Sequence, residues 1–226
     1  MLEIVLLFAV FCVGVVGIGF LSTRDIYKQI TETVANMKRS GNREARGVRV
    51  SESRDVDTAA INPDTGDLLV NLNDIEKESY GAGQAIYNSI RDDAKLLREI
   101  GLDKAQTYKD FVYKVKDSVV DSTVTHEIGH VWSKADEVGA ELYRSAVKGY
   151  GKLTAKDKLD YVVSLRNLIT YGGEKGYNTA LDVFETLKDT YGYAAFVIGT
   201  IVNKALDSAD KKVVYGEKKH TVDLDD

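Results

Sequence analysis

The first forty residues combine two adjoining hydrophobic patterns. Residues 4–21 are an unbroken run of eighteen uncharged, mostly apolar side chains. As a helix this run would span about 27 Å, close to the hydrocarbon thickness of a bilayer. We therefore predict a transmembrane helix, in preference to a cleaved signal peptide, because no basic residue precedes the run. From Thr23 to Arg39 apolar residues recur at helical spacing, which predicts a helix that continues from it.

A small β-structure is predicted next. Two short apolar segments, residues 58–62 and 68–72, flank the sequence Pro63-Asp64-Thr65-Gly66-Asp67. Proline presets the φ angle of a turn and glycine accepts a positive φ, so this stretch favours a tight reversal. Every second position of the second segment is leucine or valine, as in a strand with one buried face. A further short strand is predicted at residues 48–51.

Beyond residue 73 the hydrophobic pattern is helical. Helices are predicted over residues 84–101, from 103 through 130 toward Gly149, and over 154–171, 175–190 and 193–206. The last of these is apolar on most sides but too short to cross a bilayer, which favours a buried core helix. The chain is therefore predicted to be an α+β protein that is mostly helical.

The composition limits which classes of function and which metal ligands are possible. Of 226 residues, 44% are hydrophobic and 29% charged, which is enough apolar material for a packed core, and the formal net charge is −5. The acidic balance argues against a nucleic-acid-binding protein, which usually carries a basic patch. The single cysteine, Cys12, allows neither an intrachain disulfide nor a cysteine metal cluster. A metal site would have to use His, Asp and Glu.

Four regions follow from these patterns. We predict a membrane anchor at residues 1–22, a juxtamembrane helix at 23–45, one folded domain at 46–210 and a charged tail at 211–226. Only Glu3 precedes the apolar run, whereas several basic residues follow it. The positive-inside rule then predicts that the N-terminus lies outside and that the folded domain is cytoplasmic.

The most specific pattern is His126-Glu127-Ile128-Gly129-His130. Four helical residues turn through about 400°, so the two imidazoles lie on one face, one turn apart. Both can reach one zinc ion at the usual bond length of about 2.0–2.1 Å. Glu127 lies about 100° round the helix, where it can contact a water on the metal and accept its proton. The opposite face, including Val124 and Val131, is predicted to pack into the core.

This motif resembles the active-site helix of the zincin metallopeptidases. The resemblance implies one zinc ion held by His126 and His130, with Glu127 as the general base of peptide-bond hydrolysis. The upstream hairpin also resembles the zincin order, in which an edge strand lines the cleft and an extended peptide adds to it. That edge would be residues 68–72 or 58–62. The motif covers five residues, and the looser architectural resemblance covers about 58–150.

A catalytic zinc ion usually has three protein ligands. The stretch Glu137-Val-Gly-Ala-Glu141 resembles the second motif of gluzincins, which implies Glu137 as the third ligand and Glu141 as the support of a ligand histidine. The metzincin pattern instead places the third ligand at Asp136. On an unbroken helix Glu137 would lie about 10.5 Å beyond His130. The chain must therefore turn after Trp132, although no glycine or proline lies between Val131 and Asp136.

Other third ligands also remain open, namely Glu141 itself and the more distant Asp182, Glu185 and His220. A peptidase also needs a donor that stabilises the oxyanion, and Tyr143, Tyr150 or His220 is a candidate. Together these features predict a membrane-anchored, zinc-dependent endopeptidase with a peptide or protein substrate. The alternative is a non-catalytic assembly protein of an envelope, pilus or virion that retains a zincin scaffold and binds no stoichiometric zinc.

Overall fold

A computed structural model of the protein describes residues 23–134, 136–148 and 151–206. Most of these residues are helical, and a small three-stranded sheet lies near the beginning, so the prediction of a mostly helical α+β fold is confirmed. The elements are α1 (residues 23–39), β1 (Val50–Glu52), β2 (Ala59–Ile61), β3 (Leu68–Val70), α2 (Leu72–Ile90), α3 (Ala94–Glu99), α4 (Tyr108–Ser133), α5 (Glu137–Lys148), α6 (Ala155–Tyr171), α7 (Gly173–Tyr191) and α8 (Tyr193–Ala205).

The sheet has the strand order β1-β3-β2. Strands β2 and β3 form the predicted antiparallel hairpin, and β1 pairs with β3 in parallel. Gly66 adopts φ +71° in the turn, and the Asn62 side chain accepts hydrogen bonds from the backbone amides of Asp64 and Thr65. Of the two segments predicted as the edge, residues 68–72 therefore contribute the central strand and residues 58–62 the edge strand.

Helix α4 is the central element of the fold. It packs against α2, α5, α6 and the edge strand β2. Val120, Val124 and Ile128 are buried on its packed face, but Val131 is 44% exposed, so the prediction that Val131 also packs is wrong. The apolar helix α8 packs into the core through six buried residues between Ala195 and Val202, whereas Tyr193 and Phe196 are exposed.

Two predicted helices are each divided in the structure. The helix predicted over 84–101 ends at Ile90 and a new one begins at Ala94, because the Asp93 side chain accepts a hydrogen bond from the Leu96 amide and so caps α3. The long helix predicted from residue 103 begins only after Thr107, which caps α4 in the same way, and it is interrupted between α4 and α5.

No helix among the described residues is both long enough and apolar enough to cross a membrane. The predicted transmembrane segment at residues 4–21, the tail at 211–226 with His220, and Tyr150 all lie outside the described residues. The predicted anchor and domain boundaries therefore stay predictions.

Candidate metal centre

Helix α4 presents the two histidines of the motif on one face. The Nε2 atoms of His126 and His130 lie 3.1 Å apart, and their rings are perpendicular. Each side chain is less than one-fifth exposed. Two imidazole nitrogens this close together, both facing the same point, are a natural pair of metal donors.

The chain turns sharply directly after this helix. Lys134 adopts the left-handed conformation, with φ 55° and ψ 48°, and its amide donates to the carbonyl of His130. For a residue other than glycine this conformation costs roughly 1–2 kcal/mol. Beyond it, the Asp136 carboxylate accepts a hydrogen bond from the Gly139 amide at 2.6 Å and so caps α5. The reversal predicted from the sequence therefore occurs without a glycine or proline.

This turn brings Glu137, the first residue of α5, back to the histidines. Its Oε2 atom lies 3.4 Å from Nε2 of His126 and 3.7 Å from Nε2 of His130. Tetrahedral zinc with bonds of about 2.0–2.1 Å separates its donor atoms by about 3.4 Å. Among the described residues, these three side chains form the one group of potential ligands close enough to share an ion.

One turn further along α5, Glu141 contacts His126 from behind. Its Oε2 atom lies 2.7 Å from Nδ1 of His126, and the side chain is only 3% exposed. Because Nδ1 is engaged in this way, the ring is oriented with Nε2 toward Glu137 and His130. A carboxylate on the far nitrogen of a histidine is the usual support of a metal ligand.

A glycine inside the motif allows the two helices to approach. A Cβ atom at Gly129 would lie 2.5 Å from the carbonyl oxygen of Ala140 and 2.9 Å from Cβ of Tyr143. Helix α5 therefore rests directly on the backbone of α4. This close contact is what lets Glu137 and Glu141 reach the histidines from a neighbouring helix.

The close contacts within the cluster shift the pKa values of its members. Burial alone lowers the pKa of His126, but hydrogen bonds to Glu137 and Glu141 outweigh it and raise that pKa to about 10. The hydrogen bond from His126 lowers the pKa of Glu137 to about 2. Burial, followed by the charge of His126, lowers the pKa of His130. A metal ion at Nε2 of His126 would displace its proton, since only the neutral imidazole offers a lone pair there.

Glu127 lies beside the cluster and not within it. Burial raises the pKa of its carboxyl group to about 7, and a hydrogen bond from the backbone of Ile61 in β2 opposes that rise. His126 and Glu127 together line a cavity of about 480 Å³ between α2, α4 and α6. Tyr171, at the end of α6, lines the same cavity and is 54% exposed.

The other carboxylates considered from the sequence lie elsewhere. Asp136 is engaged as the cap of α5, and Glu141 contacts His126 through the nitrogen that faces away from Glu137. Asp182 and Glu185 are exposed on α7 and do not belong to the cluster.

Tyr143, considered as an oxyanion donor, points away from the cavity. Its hydroxyl group accepts a hydrogen bond from Asn42 and donates one to Glu44. Sequence reasoning missed two neighbours of the site, Tyr171 in the cavity and Lys175, which contacts Glu137. Neither belongs to a motif; the one sequence signal near them is the Gly-Gly pair between α6 and α7, which places a helix end there.

Comparison with known proteins assigns no family to the chain, because no family model, no curated protein and no solved structure matches it. Its function must be inferred from the chemistry of this site.

Proposed function

We propose that this protein is a zinc-dependent metallopeptidase in which His126, His130 and Glu137 hold one zinc ion and Glu127 is the general base. The observation that supports this is the triangle of donor atoms at 3.1, 3.4 and 3.7 Å, with Glu127 next to it on the wall of a cavity. Glu141 supports His126 in this proposal and is not a ligand.

The donor set suits zinc. Two imidazole nitrogens and one carboxylate oxygen are a common combination for catalytic zinc, and three protein ligands leave a fourth position for water or substrate. Bound there, zinc would supply a Lewis acid that polarises a carbonyl group and lowers the pKa of a water molecule.

Glu127 carries out the proton transfers in this proposal. Its carboxylate accepts a proton from the attacking water and passes it to the departing amine. A general base must lie within reach of the proton that it accepts, and Glu127 directly follows the ligand His126 and lines the same cavity.

The cavity suggests how a peptide binds. It begins beside Asp57 and Thr58, directly before β2, and β2 is at the edge of the sheet. An extended peptide can add to such an edge through backbone hydrogen bonds. Its scissile carbonyl would then lie near His126, which lines the same cavity.

The proposal includes the membrane anchor at residues 4–21, with the folded domain in the cytoplasm. It rests on the length and apolarity of that segment and on the basic residues that follow it.

The test uses the full-length protein in detergent, with metal analysis and a peptidase assay on the same samples. We expect about one zinc per chain, lost in His126→Ala. Glu127→Gln should keep the zinc and lower kcat by about 10²–10⁴-fold, because it removes the proton acceptor and leaves the ligands.

The matched control is Glu185→Gln, an exposed carboxylate on α7, which should keep both zinc and activity. The proposal fails if His126→Ala and His130→Ala leave metal content unchanged, or if Glu127→Gln retains full activity. A wild-type protein that binds no zinc would favour the alternative of a non-catalytic assembly protein.

A further inference from the structure

The two oxygen atoms of Glu137 face different partners. Oε2 faces the histidine pair, at 3.4 Å from His126 and 3.7 Å from His130. Oε1 accepts a hydrogen bond from Nζ of Lys175, at 3.3 Å, in the first turn of α7. The carboxylate thus bridges the candidate metal site and a cation on a different helix.

Fold stability does not explain a lysine at this position. The N-terminus of a helix carries a partial positive charge, which disfavours a cation in its first turn. The Lys175 side chain is 78% exposed, and an ion pair this exposed contributes little to the stability of the fold. A residue that conflicts with its local environment, yet contacts a functional cluster, is a candidate for a functional role.

The contact has a direct consequence for metal binding. The carboxylate of Glu137 sits at the start of α5, and rotation about its side-chain bonds would carry Oε2 away from the histidines. An ammonium group on Oε1 restrains that rotation and leaves Oε2 to the metal. The opposing effect, repulsion between the ammonium group and the metal ion, is weak because solvent surrounds Lys175.

We propose that Lys175 is a positioning residue of the metal centre, which holds Oε1 of Glu137 so that Oε2 completes the set of donors with His126 and His130. This inference rests on the proposed metal site. It assigns a role to a residue outside the motif, on a helix that contributes no ligand.

The test measures the dissociation constant of zinc, by competition with a chromophoric chelator, on full-length protein. Lys175→Met keeps much of the length and removes the charge, and we expect it to raise the Kd about two- to fivefold, which is the effect that an exposed ion pair allows. Lys175→Arg, which can still donate to Oε1, should match wild type within the error of the titration. Lys188→Met, on the same helix beside Glu185, is the control and should leave the Kd unchanged.

Thermal unfolding in excess chelator separates this role from a structural one. Without zinc, Lys175→Met should have the same Tm as wild type. If wild type binds zinc and Lys175→Met binds it equally well or more tightly, Lys175 has no positioning role and the metal site stands. If Lys175→Met unfolds at a lower temperature than wild type with chelator present, Lys175 stabilises the fold itself and the inference is overturned. If wild type binds no zinc, both the inference and the proposed function fail.

Discussion

Two helix junctions, α6–α7 and α4–α5, reach a positive φ angle with different kinds of residue. Between α6 and α7 the break lies at Gly172 and Gly173, and Gly173 adopts φ +59° with open space around it. Between α4 and α5 the break lies at Lys134, which adopts nearly the same φ with a full side chain. The first junction joins two helices that contribute no ligand, and the second brings Glu137 to the histidines.

The difference shows where each conformation gets its stability. Glycine adopts a positive φ at little cost, so the α6–α7 junction needs no help from distant residues. Lys134 is held by contacts made elsewhere, namely the cap at Asp136, the helix contact at Gly129 and the hydrogen bond that His126 donates to Glu141. Strained backbone that depends on its surroundings in this way is characteristic of functional sites.

The largest expected effect comes from breaking the α4–α5 contact. Gly129→Ala places a methyl group against the backbone of Ala140, which cannot yield as a side chain can. We expect the free energy of unfolding to fall by about 1–3 kcal/mol, despite the better helix propensity of alanine. Zinc binding should be lost, because α5 must move and it carries Glu137 and Glu141.

The control for this variant is Gly199→Ala on α8, where the new methyl group would meet the ring of Phe184. It should destabilise the fold by overpacking yet leave the zinc Kd unchanged, since α8 carries no residue of the cluster. Chemical denaturation and zinc titration check both variants. Normal zinc binding by Gly129→Ala would show that the close approach of the helices is not needed for the site.

A smaller effect is expected from Glu141→Gln, which keeps the shape of the side chain and removes its charge. The amide supports the His126 ring less strongly than a carboxylate, so the zinc Kd should rise about 10–100-fold. Zinc titration measures it, with Glu185→Gln as the exposed control. An unchanged Kd would mean that packing alone orients His126.

At the other junction, Gly173→Ala should lower the free energy of unfolding by about 1 kcal/mol. Nothing lies within 4 Å of the new Cβ atom, so the whole effect comes from the positive φ. Urea denaturation gives the value. No loss of stability would indicate that α7 can begin with a different backbone conformation.

The smallest effect is expected from the opposite substitution, glycine in place of a residue with a side chain, at Lys134. Lys134→Gly relieves the left-handed conformation but adds flexibility to the unfolded chain, so we expect the free energy of unfolding to rise by about 0.5 kcal/mol. The zinc Kd should stay within about twofold, because the turn that delivers Glu137 is preserved. A clear loss of stability in the same urea experiment would contradict a positive φ at Lys134.

The contrast between the junctions also explains which features were predictable. The hairpin follows from Pro63 and Gly66, the start of α7 from the Gly-Gly pair, and the facing of His126 and His130 from their spacing, because each depends on residues close together in the chain. The position of Glu137 depends on the left-handed backbone of Lys134, and no glycine lies near that residue in the sequence to indicate such a conformation before Gly139.

The sequence carries one signal for the helix contact. Gly129 lies inside α4, where glycine costs about 1 kcal/mol relative to alanine, and this cost indicates a packing reason for the glycine. Lys175 left no such signal, since its relation to Glu137 exists only after α5 and α7 have packed together.

Trp132, two residues beyond His130, gives the site an optical reporter of its own. It is the only tryptophan in the chain, it is 48% exposed, and its ring centre lies 5.8 Å from that of Tyr143 on α5. Its fluorescence therefore comes from one place, the end of α4 where that helix meets α5. Any ligand that shifts α5 against α4 will change this emission, so binding can be followed in unlabelled protein.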